Sequence, residues 1–169
     1  SNSGNFKNKN TLGLFPSFQT NYSLPLIKET TKSRNTLTPK LSLRLSTSHT
    51  KDVRTTDRKI SYDNIYDLDR LGIDEANEGG ISLTYGYEHS IIEKSSSEEK
   101  IKFAFANNLR FEENKDLPIN SNLGDKTSDF VGIFEYKPNK NLKFDYNFSL
   151  KNNLNDVNYE LYGFEFYLK

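Results

Sequence analysis

The chain has 169 residues, of which only 34% are apolar while 13% are aromatic, so it lacks the Ala, Val and Leu of an ordinary soluble core yet is too rich in Tyr and Phe to be disordered. Its 23 basic residues balance its 23 acidic ones, leaving no excess of cations to displace counterions from phosphate, so nucleic acid is not an expected partner. Cysteine is absent, which excludes disulfides, thiolate zinc sites and thiol nucleophiles within the sequence.

Along the chain the dominant period is two. The segment from Leu12 to Leu26 alternates through Leu14, Phe18, Tyr22 and Leu24. Leu37, Leu41, Leu43 and Leu45 then alternate with Thr38, Lys40, Ser42, Arg44 and Ser46. A charged stretch, Asp63 to Gly80, leads into Ile81, Leu83, Tyr85 and Tyr87, which alternate with Ser82, Thr84, Gly86 and Glu88. Next, Ile101, Phe103, Phe105, Leu109 and Phe111 share one phase, with Lys102, Ala104, Ala106, Asn108, Arg110 and Glu112 in the other. Phe130 to Tyr136 is apolar in both phases. Leu142, Phe144, Tyr146, Phe148 and Leu150 alternate with Lys143, Asp145, Asn147, Ser149 and Lys151. Val157 to Leu168 changes phase near Gly163, where a bulge is expected. A strict period of two puts each set on one face of a strand, whereas a helix would spread it around its circumference.

The strands run roughly 9–13 residues, against ~5–6 for a globular strand and ~9–11 for a tilted membrane strand. Short polar breaks at 93–99, 137–141 and 151–156 contrast with the long one at 113–127, as in outer-membrane barrels. No apolar run approaches the ~20 residues of a membrane helix. Periodicity alone leaves two readings open: a soluble β-sandwich with its apolar face inward, or a membrane barrel with that face toward lipid. Strand length, aromatic content and the scarcity of small core residues favour the barrel. The expected fold is therefore all-β, with residues 1–169 forming about seven or eight antiparallel strands of a large outer-membrane barrel, here an open curved sheet. With Ser1 first and no leader after it, the sequence reads as an internal fragment.

An Arg or Lys facing the bilayer midplane costs about 2–4 kcal/mol, so the charged phase is expected to be luminal. Arg44, Ser82, Thr84, Lys102, Lys143, Asp145 and Asn147 are the lumen-facing candidates, and Leu41, Leu43, Leu83, Tyr85, Phe103, Phe105, Phe144 and Phe148 the lipid-facing set. On this reading an Arg is expected to be tolerated at Thr84 and not at Leu83.

Candidate chemistry is sparse. Asp67, Asp69, Gly72 and Glu78 nearly fit a calcium loop, but Leu71 stands where a third oxygen ligand is needed and a strand, not a helix, follows. The expectation is no metal: a turn whose carboxylates meet Arg70 and other basic neighbours in water. His49 and His89 are not in metal-type spacing. No nucleophile elbow and no phosphate-binding glycine run occur, so neither enzyme chemistry nor a cofactor is expected.

Asp63-Asn64-Ile65-Tyr66, Asp69-Arg70-Leu71-Gly72-Ile73-Asp74, Glu78-Gly79-Gly80 and Leu83-Thr84-Tyr85-Gly86 follow one another in an order that resembles the LptD family, also called organic solvent tolerance proteins. Leu37-Thr38-Pro39-Lys40-Leu41, Phe15-Pro16 and Leu24-Pro25-Leu26 resemble segments upstream of that motif, so the likeness spans roughly Leu12 to Glu88. Glu75 departs from the family, many of whose members carry Arg there. The resemblance gives Asn64, Arg70, Gly72, Asp74, Glu78, Gly79, Gly80, Tyr85 and Gly86 as a structural motif. It implies a non-enzymatic translocon of the Gram-negative outer membrane that inserts lipopolysaccharide into the outer leaflet. The implied partners are lipopolysaccharide, an LptE-like plug lipoprotein within the barrel, and a periplasmic bridge protein reached through other regions. A porin or receptor barrel is the alternative within the membrane class.

Overall fold

The structure, a computed structural model, describes residues 15–47, 51–74 and 76–168. Eight strands are present: β1 (Ser17–Ser23), β2 (Leu26–Glu29), β3 (Ser33–Ser46), β4 (Gly80–Glu93), β5 (Glu98–Arg110), β6 (Phe130–Asn139), β7 (Leu142–Leu150) and β8 (Val157–Phe166). They form one antiparallel sheet in the order β1-β3-β4-β5-β6-β7-β8, with β2 also paired to β3. The sheet is open and curved, not a two-layer sandwich. Its helical content among the described residues is a single 3-10 turn, Ile119–Ser121.

The alternation of the sequence becomes a difference between faces. Across β3, β4 and β5, Leu43 pairs Leu83 and Leu83 pairs Leu109; Leu41 pairs Tyr85; Tyr87 pairs Phe105. Phe134 continues this face between Phe103 and Tyr146, and Phe144 carries it to Phe164. The rings touch: Tyr87 and Phe105 meet edge to face at 4.4 Å, and Tyr146 stacks on Tyr162 at 4.9 Å. On the opposite face Arg44 pairs Ser82, Ser82 pairs Arg110, Ser42 pairs Thr84 and Thr84 pairs Asn108. Lys102 pairs Glu135, and Glu135 pairs Asp145.

Three details differ from the sequence reading. Of the segment expected from Leu12 to Leu26, Leu12 and Leu14 lie outside the described residues, and the remainder continues as β2 to Glu29. β1 and β2 keep one register against β3 (Ser23 opposite Lys40, Leu26 opposite Leu37), and the ladder lapses between them. Proline explains the lapse: Leu24 N–H donates to the Pro39 carbonyl at 3.1 Å, but Pro39 has no N–H to return. The bulge expected at Gly163 is instead at the beginning of β8, where Tyr159 pairs Ser149 but Val157 pairs Leu150. Gly163 itself is in regular register opposite Asp145, whose carboxylate lies where a Cβ would be. The tight turn expected over Lys137–Asn141 is shorter than the segment, since β6 runs through Pro138 to Asn139 and Lys140-Asn141 makes the reversal.

The connections differ at the two ends. One end has residues 30–32, 94–97 and 140–141; the other has 47–79, 111–129 and 151–156. The two long connections fold back over the polar face. Val53, Ile60, Ile65, Leu71, Leu117 and Leu123 from the connections pack on Ala104, Ala106, Val131 and Ile133 of β5 and β6. Each such side chain contributes about 1.5–3 kcal/mol by leaving water. This packing accounts for the apolar character of β6 in both phases: Phe134 belongs to the aromatic face, while Val131 and Ile133 meet the covering loops.

Candidate functional site

The charged stretch 63–80 is built by local turns and then pinned from beneath. Asn64 Oδ1 accepts the Ser61 N–H at 3.0 Å, closing the first turn. Asp69 Oδ1 accepts the Gly72 N–H at 3.0 Å, closing the next. Gly72 has φ +57°, and the Arg58 guanidinium lies against it, 3.1 Å from where a Cβ would stand. Both the left-handed backbone and the close approach call for glycine there.

Beneath these turns lies a buried ionic cluster. Arg70 is 1% exposed and Glu78 2% exposed. Arg70 donates from Nε to Glu78 Oε2 and from Nη2 to Glu78 Oε1, both at 2.7 Å, a bidentate pair. Its remaining hydrogens go to Ser82 Oγ at 2.9 Å, Asn108 Oδ1 at 2.9 Å, Thr84 Oγ1 at 3.2 Å and the Ile65 carbonyl at 3.4 Å. Arg110 of β5 donates to Glu78 Oε1 at 2.5 Å and to the Gly79 carbonyl. Arg44 of β3 donates to the Glu78 carbonyl at 2.5 Å and the Leu68 carbonyl at 3.1 Å. The Glu78 carboxylate thus meets guanidiniums from β3, from β5 and from the connection itself, while the β4 hydroxyls accept from Arg70, and the 47–79 connection is clamped to β3, β4 and β5. Burial alone would raise the Glu78 carboxyl, but the charge and hydrogen bonds of Arg70, then the charges of Arg44 and Arg110, outweigh it and hold it at about 2.

This corrects the expectation of a charged turn meeting water. Asp63, Asp67, Asp69 and Asp74 are exposed, but Arg70 and Glu78 are interior. Glu78, the would-be closing ligand of the calcium-loop match, is committed to guanidiniums instead. Leu71 is buried in the core. Glu75, the departure from the family pattern, and His49 lie outside the described residues.

The sequence-derived residues divide into groups. Arg44, Ser82 and Thr84 converge on the Arg70–Glu78 pair and are buried beneath the connection, so an Arg at Thr84 would meet Arg70 and the covering loop and not an open lumen. Lys102 lies on the same face nearer the short-turn end, with Nζ 3.8 Å from Glu88 Oε2. Lys143 forms a separate patch with Glu165 at 3.2 Å, Asp145 at 3.7 Å and Glu135 at 3.8 Å. Asn147, opposite Ile133 and Leu161, joins neither. Gly80, at φ +97°, passes under the Arg110 guanidinium, 2.9 Å from a would-be Cβ. Gly86 lies under Tyr66, whose Oη would be 2.6 Å from a Cβ, while Tyr85 belongs to the opposite, aromatic face.

Sequence reasoning missed Arg110 as a partner of Glu78, Asn108 as a partner of Arg70, and Lys40 with Tyr62 as partners of Glu88. Lys40 Nζ donates to Glu88 Oε2 at 3.0 Å and Tyr62 Oη to the same oxygen at 3.2 Å. Burial and then the Glu88 charge push the Tyr62 phenol up, so it stays a donor. Arg110 and Asn108 are two apart in the polar phase of β5, which is the one signal the sequence offered for them.

No curated protein matches the chain. The family model described as LPS transport system D matches residues 1–167. A match of that extent, on an all-antiparallel sheet that carries the motif as the clamp of its longest connection, means that the chain belongs to the LptD family of the LPS transport system.

Proposed function

We propose that this chain is part of an outer-membrane β-barrel that moves lipopolysaccharide into the outer leaflet without covalent chemistry. The observation that carries the reading is the unlike character of the two faces on long strands: one aromatic and aliphatic, the other ionic. A glycolipid with a charged saccharide needs a polar path for its head beside an apolar phase for its acyl chains. The ionic face, with Lys102, Lys143, Asp145 and Asn147 half-exposed below the covering loops, fits the lumen. The aromatic face fits lipid, and the short-turn end fits the periplasm, with the long connections outward. An LptE-like plug lipoprotein would meet the half-exposed ionic face, and a periplasmic bridge protein would deliver the substrate. The motif residues Asn64, Arg70, Gly72, Asp74, Glu78, Gly79, Gly80, Tyr85 and Gly86 act here as structure.

Photo-crosslinking in cells on the full-length protein tests this. A crosslinker at Asn147 should capture lipopolysaccharide or a co-purifying lipoprotein, and one at Phe105 should capture phospholipid. Phospholipid at Asn147 with lipopolysaccharide at Phe105 would reverse the faces. A barrel that gives neither adduct at Asn147 or Lys102 and brings down no lipoprotein would be a porin or receptor.

A further inference from the structure

Among the described residues the fold buries two carboxylates and treats them differently. Glu78 has three guanidiniums; Asp129, 1% exposed and immediately before β6, has no ion pair among the described residues. Its oxygens meet only neutral groups: Oδ1 accepts Asn122 Nδ2 at 2.6 Å, and Oδ2 accepts Asn158 Nδ2 at 2.7 Å and Ser149 Oγ at 3.3 Å. Buried charges are ordinarily paired with a cation or held on a metal ion. A second observation lies beside it. Ser121, whose carbonyl takes the Asp129 N–H at 3.0 Å, is 1% exposed, and its hydroxyl is buried without a partner. The amide nitrogen of Asn158 donates to both the Asp129 carboxylate and the Asn120 carbonyl, so these three groups converge on one corner.

We propose that Asp129, with Asn120, Ser121, Asn122, Ser149 and Asn158, forms a binding site for a hard divalent cation of the calcium type. Amide oxygen and nitrogen occupy the same shape, so turning Asn122 and Asn158 over replaces two donors with two carbonyl oxygens. The set then offers both Asp129 oxygens, two hydroxyls, two amide oxygens and one main-chain carbonyl, within the 6–8 oxygens calcium takes. It has no thiolate or imidazole, which argues against zinc and copper. A bound ion would tie the 111–129 connection to the ends of β7 and β8. With a single carboxylate at its centre, affinity should be in the weak class, with Kd about 10⁻⁴–10⁻³ M.

The test uses the full-length protein in detergent, stripped with chelator and then titrated with calcium chloride to about 10 mM, above the weak end of such sites. Thermal unfolding of the wild type should shift upward by several degrees across that range. Asp129→Asn should show no shift, and in chelator it should be at least as stable as the wild type, because it removes an uncompensated charge. Asp69→Ala, in the calcium-like stretch, should respond as the wild type does. A wild type insensitive to calcium would overturn the proposal. So would Asp129→Asn that is destabilised equally with and without calcium, which means a hydrogen-bonding role alone, or that still responds, which places the ion elsewhere, on co-purified lipid for instance. If Asp129→Asn does not fold, Asn158→Ala serves: calcium affinity should fall roughly tenfold, the value of one supporting group at a metal site, and unchanged affinity would overturn the site.

Discussion

Replacing Glu78 by Gln keeps the side chain's shape and removes the one carboxylate within ion-pair distance of Arg44, Arg70 and Arg110 among the described residues. Breaking a buried pair by removing one partner costs about 3–5 kcal/mol, and here three guanidiniums are left facing one another, so the upper end, about 5 kcal/mol, applies. The loss falls on the attachment of the 47–79 connection, because the β3, β4 and β5 ladders do not depend on Glu78. Limited trypsin digestion of the folded protein reads it, since Arg54, Arg58, Lys59 and Arg70 all lie in that connection. When opening is fast, cleavage follows the open population, and at 1.4 kcal/mol per tenfold the rate should rise by about three and a half orders of magnitude, or until the segment is open outright. Heat-modifiable gel mobility, which reports the strands, should change little. Cleavage within about tenfold of wild type would refute the reasoning, as would an equal effect from Asp74→Asn, whose side chain is exposed.

The same carboxylate makes the attachment acid-labile. Its folded value of about 2 lies below the ~4.3 of an unfolded Glu, so its contribution is complete above about pH 4.3 and is lost as pH falls toward 2. The difference is about 3 kcal/mol; hydrogen exchange of residues 51–74, corrected for intrinsic rates, should show protection falling over that window, and a flat profile or an unchanged step in Glu78→Gln would contradict it. Tyr66 and Gly86 give a steric test. A Cβ at Gly86 would overlap the Phe105 carbonyl oxygen and be 2.6 Å from Tyr66 Oη and 2.9 Å from Ala106 Cα, so the β4–β5 backbone must shift and Gly86→Ala should cost about 3 kcal/mol or more in denaturant titration. Tyr66→Phe, which deletes a buried hydroxyl without a partner, should be neutral or stabilising by about 1 kcal/mol and should recover part of the Gly86→Ala loss. Tyr66→Phe alone costing more than about 1 kcal/mol would show that the hydroxyl has a partner after all.

By itself the sequence determined the strands whose two faces meet different surroundings. β3, β4, β5 and β7 alternate over most of their length because most positions are on the aromatic face or on the ionic one, and that choice is written residue by residue. The ordered motif around Asp63 to Gly86 also pointed to the family on local sequence alone. β6 was ambiguous for a tertiary reason, since Val131 and Ile133 are apolar only because loops from elsewhere cover them. Gly163 was misread because its small size serves the Asp145 carboxylate across the ladder, a partner 18 residues away in sequence, and not a bulge in its own strand. The clamp was least legible. Arg70 and Glu78 in their own stretch look like any solvated turn, and what buries them is Arg44 from β3 and Arg110 from β5, with Ser82, Thr84 and Asn108 between. Local spacing fixes which face a side chain takes; only the folding-back of the connection decides whether that face is wet, and so whether a charge on it is a solvated ornament or the pin that holds the loop.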